Sequence, residues 1–201
     1  MTHPMRFFTI SGLIVGVAII AILALGAPPS SMDNRSAQLS EKETAAVTDF
    51  QARVQKYADL HKQLEANMPT LDNTSTPEQI DEHRTQLRAA IKTARVGAKR
   101  GDLFTPGMEA LVRRVCNTKV RDADDGKEVR NTIMDENVKM PAITVNEHYP
   151  DGVPVTTMPS QLLETLPKLP EYMEYHFVGK KLVLVDAAAG VVVDFTPNVL
   201  P

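Results

Sequence analysis

The chain has 201 residues, 43% of them hydrophobic and 23% charged, with a formal net charge of −3. That composition excludes a disordered chain and leaves room for one domain, or one domain with a small appendage. It also excludes a domain-wide basic field of the kind that draws in nucleic acid, and an aromatic content of 5% without tryptophan offers no platform for stacking bases.

The first element is a 21-residue stretch from Phe7 to Ala27 that contains no charged side chain. As a helix it spans roughly 30 Å, the thickness of one hydrocarbon core, so it can anchor the chain in a lipid bilayer. Ala24, Leu25, Gly26 and Ala27 also place small residues where a signal peptidase cuts, so a signal peptide is the rival reading. The stretch exceeds the roughly 7 to 15 residues of a signal core, which favours the anchor. In both readings Arg6 stays on the inner side and the remainder of the chain is exported.

Residues 28–39, proline-led, small and polar, read as a linker. Ser40 and Glu43 then form an S-x-x-E capping box, which starts a helix. Along it Val47, Phe50, Val54, Tyr57, His61 and Leu64 recur at steps of three and four, a seam that ends at Met68 and Pro69. Val47, Phe50, Val54 and Tyr57 are the candidate contacts for a protein partner or a second copy of the chain. The competing reading fills that seam with the second helix. That helix starts at Thr76 as cap and Pro77 as first residue, places Ile80, Leu87, Ile91, Ala94 and Ala98 on one face, and runs to Arg100 before Gly101. Two such helices joined by a short polar loop predict an antiparallel helical hairpin over residues 40–100.

The remaining segment, residues 101–201, predicts a small α+β unit. Thr105 and Pro106 open a third helix, a fourth is expected from Lys127 to Glu136, and "PAITVN" reads as a strand. Met173, Tyr175 and Phe177 alternate with Glu174, His176 and Val178, and "KLVLVD" and "GVVVDF" follow as apolar runs separated by turns. The fold class is therefore α+β: an amino-terminal membrane-spanning or signal helix, a long helical hairpin, then a unit closing in an antiparallel β-meander. So small a sheet cannot close a core alone, and it must lie against the helices.

Few residues suggest chemistry. If the hairpin turns near Asp72, His61 and His83 face each other, and Glu65 one turn after His61 supplies a third potential metal ligand. No close ligand spacing such as H-x-x-x-H accompanies them, and ordinary helix-surface residues explain them equally. "DADDGKE" fails as a calcium loop, because the ligand positions fall on Arg121, Ala123 and Thr132. Glu174 and His176 lie on one face of a strand as a candidate acid/base pair for a hydrolase, although outward polar positions of a half-buried strand look the same. Asp186 and Asp194 read as strand-end turn residues. Arg113, Arg114, Lys119 and Arg121 form a basic stretch diluted by Glu109. The single Cys116 has no partner for a disulfide and sits at helical spacing from Met108, Leu111, Val112 and Val115, as a buried thiol would. The chain has no nucleophile elbow, P-loop or dinucleotide fingerprint, and no cofactor is expected.

The segments "GDLFTPGMEALVRRV" and "VNEHYPDGVPVTTMPSQLLETLPKLPEYMEYHFVGKKLVLVDAAAGVVVDF" resemble a group of exported bacterial proteins of unknown function. The final "FVGKKLVLVDAAAGVVVDF" is similar to the closing module of small periplasmic proteins of the nickel/cobalt-homeostasis family. The resemblance implies a bacterial envelope location, at the inner membrane facing the periplasm or free in the periplasm if the leader is cut. It implies no activity, and without histidine-rich stretches no metal role is carried across. The expectation is a non-enzymatic envelope protein that binds a protein partner or itself. The alternatives are an exported hydrolase using His176 and Glu174, and a periplasmic metal-binding protein.

Overall fold

Among the described residues three helices precede three strands: α1 (Glu41–Glu65), α2 (Pro77–Ala94), α3 (Pro106–Asp122), β1 (Met173–Val178), β2 (Lys181–Asp186) and β3 (Val191–Thr196). The computed structural model describes residues 39–122, 141–152 and 164–200, with the side chains of residues 119–122 excluded. The apolar stretch of residues 7–27, nearly all of the linker, the expected fourth helix, most of "DADDGKE" and the side chains of Lys119 and Arg121 lie outside the described residues. Among the described residues no helix is long and apolar enough to cross a membrane.

Local sequence chemistry sets the helix starts. Ser40 accepts from the Glu43 amide while the Glu43 carboxylate accepts from the Ser40 amide, so two donors left over at the start of α1 are satisfied reciprocally. Thr76 and Gln79 repeat the arrangement at α2, with Pro77 at the first helical position. Pro106 opens α3.

The second helix ends earlier than its sequence suggests. Rather than running to Arg100, α2 stops at Ala94, and Arg95 to Gly97 form a turn. Arg95 leaves helical geometry at φ −111° and ψ 34°, and its guanidinium reaches across to the Val193 carbonyl at 3.1 Å. A tertiary bond and Gly97 thus outweigh local propensity, which is a weak prior. Ile80, expected on the buried face, is 43% exposed, whereas Leu87 and Ile91 are fully buried.

The strands form an antiparallel meander in the order β1-β2-β3. Gly179, at φ 55°, and Lys180 make a two-residue turn between β1 and β2. The register between β2 and β3 shifts after Leu184, where Val193 has no partner opposite, so Val193 and Asp194 come to the same face. That face receives Met173, Phe177, Leu182, Leu184, Val191 and Val193, and it packs in one core with Phe50, Val54, Tyr57, Leu87, Ile91, Phe104, Met108, Val112 and Cys116 from the helical segments. The helices thus cover the sheet, as its small size requires.

The opposite face carries a smaller cluster of Ile143, Val178, Val183, Val185 and Val192, with Tyr149 and Phe195 against it. "PAITVN" does not form the expected strand. Asn146 adopts a left-handed φ of 64°, which asparagine tolerates, and breaks the extended run. The segment still follows the outer edge of β3: Val192 exchanges backbone bonds with Asn146 and Glu147, and the Tyr149 amide bonds the Gly190 carbonyl. Unpaired amides on that edge are thereby partly covered.

Candidate functional site

Tyr57, His61 and Glu65 stand at intervals of four on α1, one above another on the same helix face. The first two point into the interior and the third reaches the surface. Tyr57 and His61 are 3% and 1% exposed, and both meet Asp186 at the end of β2, which is completely buried. The Tyr57 hydroxyl donates to Asp186 Oδ2 at 2.7 Å, and His61 Nδ1 lies 2.6 Å from the same oxygen. The Ala189 amide donates to Oδ1 at 2.9 Å, closing the turn between β2 and β3. A carboxylate can accept all three at once, which is how a buried acid of this kind is tolerated.

Aromatic and cationic neighbours hold these groups in place. The Tyr172 ring stacks on the His61 ring with centroids 3.9 Å apart. The Arg95 guanidinium lies 5.1 Å above the Tyr57 ring, in the range of a cation–π contact. Burial, followed by the Asp186 charge, raises the Tyr57 phenol far above its ordinary value, so the hydroxyl stays a proton donor. Burial lowers the Arg95 pKa, but a guanidinium remains a cation at any ordinary pH.

The three residues expected as metal ligands are brought to one place. Glu65 Oε2 lies 3.6 Å from His61 Nε2, and Glu65 Oε1 lies 3.6 Å from His83 Nε2. The His83 Nδ1 faces the Pro69 carbonyl at 3.1 Å. A groove of about 370 Å³ opens beside them, lined in part by Lys62, Glu65, Met68, Pro69 and His83. Among the described residues no three His, Cys, Asp or Glu side chains are already gathered as closely as a metal centre needs.

Glu174 and His176 also meet, with His176 Nε2 at 2.7 Å from the Glu174 carboxylate. The hydroxyl beside His176 Nδ1 is that of Tyr149, at 3.3 Å, with the two rings edge to face. Burial raises the Tyr149 phenol, which makes it a poor nucleophile at neutral pH. The pair therefore sits on the face of β1 that carries the smaller apolar cluster.

The four candidate partner contacts occupy the chain's own interior. Phe50, Val54 and Tyr57 are buried and Val47 is partly buried against the same core, with the Phe50 ring stacked on Phe104 at 5.3 Å. The intramolecular alternative weighed for this seam is the arrangement present, but α3 and the sheet fill it together with α2.

Asp194 is a second completely buried acid, and it lies within β3 rather than at a strand end. Its two oxygens accept from the amides of Gly101, Leu103, Phe104 and Phe195 at 2.7 to 3.0 Å. The loop between α2 and α3 is thereby fastened to the sheet. Burial pushes the Asp194 carboxyl above its ordinary range, opposed by those four donors.

Sequence reasoning missed the roles of Tyr57, Asp186 and Asp194 as interior polar ties. The available signal was an acid closing or interrupting each apolar run, "KLVLVD" and "VVVDF", and a histidine within an apolar helical seam. No family model, curated protein or solved structure matches the chain.

Proposed function

We propose that the chain is a non-enzymatic protein of the bacterial envelope, tethered to the inner membrane by residues 7–27, whose folded part faces the periplasm and acts by binding a protein partner or a second copy of itself. The observation that carries the reading is the uncharged 21-residue segment from Phe7 to Ala27, directly behind Arg6 and ahead of the polar linker. In this reading α1 and α2 form an antiparallel helical hairpin laid against the closing α+β unit.

The use of the interior polar groups supports binding over catalysis. Asp186 is occupied by Tyr57, His61 and Ala189, and Asp194 by four backbone amides. These acids tie α1 and the α2–α3 loop to the sheet, which fixes the shape of a surface instead of exposing an acid or base to a substrate. The acid/base pair expected for a hydrolase, Glu174 with His176, meets a phenol.

The test is the intact mass of the protein from membrane and periplasmic fractions of a bacterial cell, the membranes being washed with alkaline carbonate. A full-length mass retained after the wash is the expected result. A mass beginning near Ala27 in the soluble fraction would replace the tether with a free periplasmic protein. Site-specific cross-linking from the folded part, read against a strain lacking the leader, then tests whether the surface engages another chain.

A further inference from the structure

We infer that the groove between the α1–α2 loop and the first half of α2 is a docking site for an extended segment of a protein partner that carries lysine or arginine. The inference rests on the partner-binding reading above and gives it a surface and a chemistry.

The groove holds about 450 Å³, within the range in which pockets bury a ligand. One wall is Pro69, Thr70 and Leu71. The other is the face of α2 that carries Glu78, Glu82 and Gln86 at intervals of four. Leu71 is 37% exposed, so folding leaves part of an apolar side chain in water at the rim. Pro69, Thr70 and Leu71 also line the groove beside Glu65, so the two adjoin along the loop and together suit an extended segment better than a compact ligand.

Charge identifies the occupant. Glu78 and Glu82 line the same groove one turn apart, a spacing at which like charges destabilise a helix. Other carboxylates of the described surface are paired: Glu43 with Arg114, Glu109 with Arg100 and Arg113, Glu147 with Lys92. Neither Glu78 nor Glu82 has a lysine or arginine partner among the described residues, and Glu82 accepts only from Gln86, at 2.6 Å. No lysine or arginine lines this groove. A lysine or arginine from outside fits both walls at once. Its aliphatic stem lies along Pro69 and Leu71, and its charged head meets the carboxylates opposite. A neutral or acidic segment would take water from those carboxylates and give nothing in return.

The loop wall is built before a partner arrives. Asp72 Oδ1 accepts from the Thr74 amide at 2.8 Å and from the Thr74 hydroxyl at 2.6 Å, and the Asp72 amide donates to Ser75 Oγ at 2.9 Å. His83 Nδ1 lies 3.1 Å from the Pro69 carbonyl, which ties the loop to α2. These bonds shape the groove in the free chain, so docking has little backbone left to order and loses little affinity to that cost. The 25 residues of α1 set the groove about 37 Å along the helix from its junction with the linker. A partner therefore approaches the end of α1 opposite that junction.

The experiment uses the full-length chain in phosphatidylcholine nanodiscs and a fluorescent pool of synthetic nonapeptides, each with two lysine or arginine residues among alanine, leucine, serine and valine. A second pool carries glutamine in place of the basic residues. Anisotropy should show the basic pool bound at least ~10-fold more tightly, what one charge-assisted hydrogen bond supplies, and more weakly as salt is raised. Glu78→Gln combined with Glu82→Gln should bring the basic pool down to the level of the glutamine pool. The same change removes a like-charge pair, so the unfolding temperature should hold or rise. Leu71→Ser, which keeps every charge, should weaken binding from the other wall, and Glu41→Gln at the far end of α1 should leave it unchanged. Equal binding of the two pools, wild-type binding in the double variant or in Leu71→Ser, or loss in Glu41→Gln overturns the site. A photo-crosslinker placed in cells at Thr70, and in turn at exposed positions outside the groove, separates this failure from that of partner binding. Protein adducts outside the groove alone overturn the site and keep the partner; no adduct at any position overturns both; a second copy of the chain captured at Thr70 overturns the assigned occupant.

Discussion

Nδ1 of His61, on the first helix, and Oδ2 of Asp186, at the end of the second strand, lie 2.6 Å apart and are shut off from solvent. This bond and that from Tyr57 to the same oxygen join the helical segment to the sheet through polar groups in a mostly apolar interior. Removing one partner of such a cluster leaves the others buried without compensation. Asp186→Ala is therefore expected to cost about 3 to 5 kcal/mol in urea unfolding, in line with other broken buried pairs. Tyr57→Phe, which deletes one donor and keeps the ring under Arg95, should cost about 1 to 2 kcal/mol. An unfolding midpoint unchanged by Asp186→Ala would show that this carboxylate is not a tie between the two layers.

Asp194 makes a different prediction, because its donors are all backbone amides. Asp194→Ala orphans the amides of Gly101, Leu103 and Phe104 together and should cost about 3 kcal/mol, with loss of hydrogen-exchange protection concentrated in residues 101–104. The burial that raises this carboxyl in the folded state has a definite sign. With the folded value above the unfolded one, the folded chain takes up the proton first as pH falls. This group's contribution to stability is therefore greatest below the ordinary carboxyl range and declines as pH rises through the folded value. The stability difference between wild type and Asp194→Asn, measured from pH 3 to pH 8, should move against the wild type as pH rises, in the absence of a change at other carboxylates.

The parts of this architecture legible in the sequence are those fixed by neighbouring residues. Ser40 with Glu43, and Thr76 with Gln79 and Pro77, mark the helix starts because the bonds they make span three residues. The alternation from Met173 to Val178 shows a strand because both of its faces follow a period of two. The meeting of His61 and His83 at Glu65 follows from where the connecting loop turns. The tie between His61 and Asp186 joins residues 125 apart in sequence, and no local pattern announces such a pairing. The early end of α2 is hidden for the same reason, since Arg95 leaves the helix for a carbonyl on β3. Asn146 shows the converse: its own left-handed backbone defeats an apolar pattern that reads as strand.

Glu43 links two helices at the surface, accepting from the Ser40 amide in its own capping box and from Arg114 on α3 at 2.6 Å. The Ser40 amide chiefly, with help from Arg114, holds its carboxyl below the ordinary value. A depressed carboxyl stabilises the fold above the unfolded value and loses that contribution as pH falls through the folded one. Glu43→Gln keeps a capping group but removes the charge, so it should cost about 0.5 kcal/mol at pH 7. That difference should shrink as the pH falls from 7 towards 3, and a cost equal at both ends of that range would show that the charge contributes nothing.

Cys116 reports on how often this interior opens. It is fully buried among Met108, Leu111, Val112 and the sheet, and burial pushes its thiol up to about 12. The thiolate is the reactive form. At pH 8 the folded chain should therefore react with a disulfide reagent at least about 10³-fold more slowly than the urea-unfolded chain, the ionised fraction setting that lower limit and steric exclusion adding to it. Because the thiol lies in the core shared by the helices and the sheet, its labelling should require opening of that core rather than fraying of α3. Asp186→Ala, which loosens the same core from the far side, should then accelerate labelling in proportion to its loss of global stability. Rapid labelling of the wild type, or labelling indifferent to Asp186→Ala, would show that α3 detaches on its own and that the core is not a single cooperative unit.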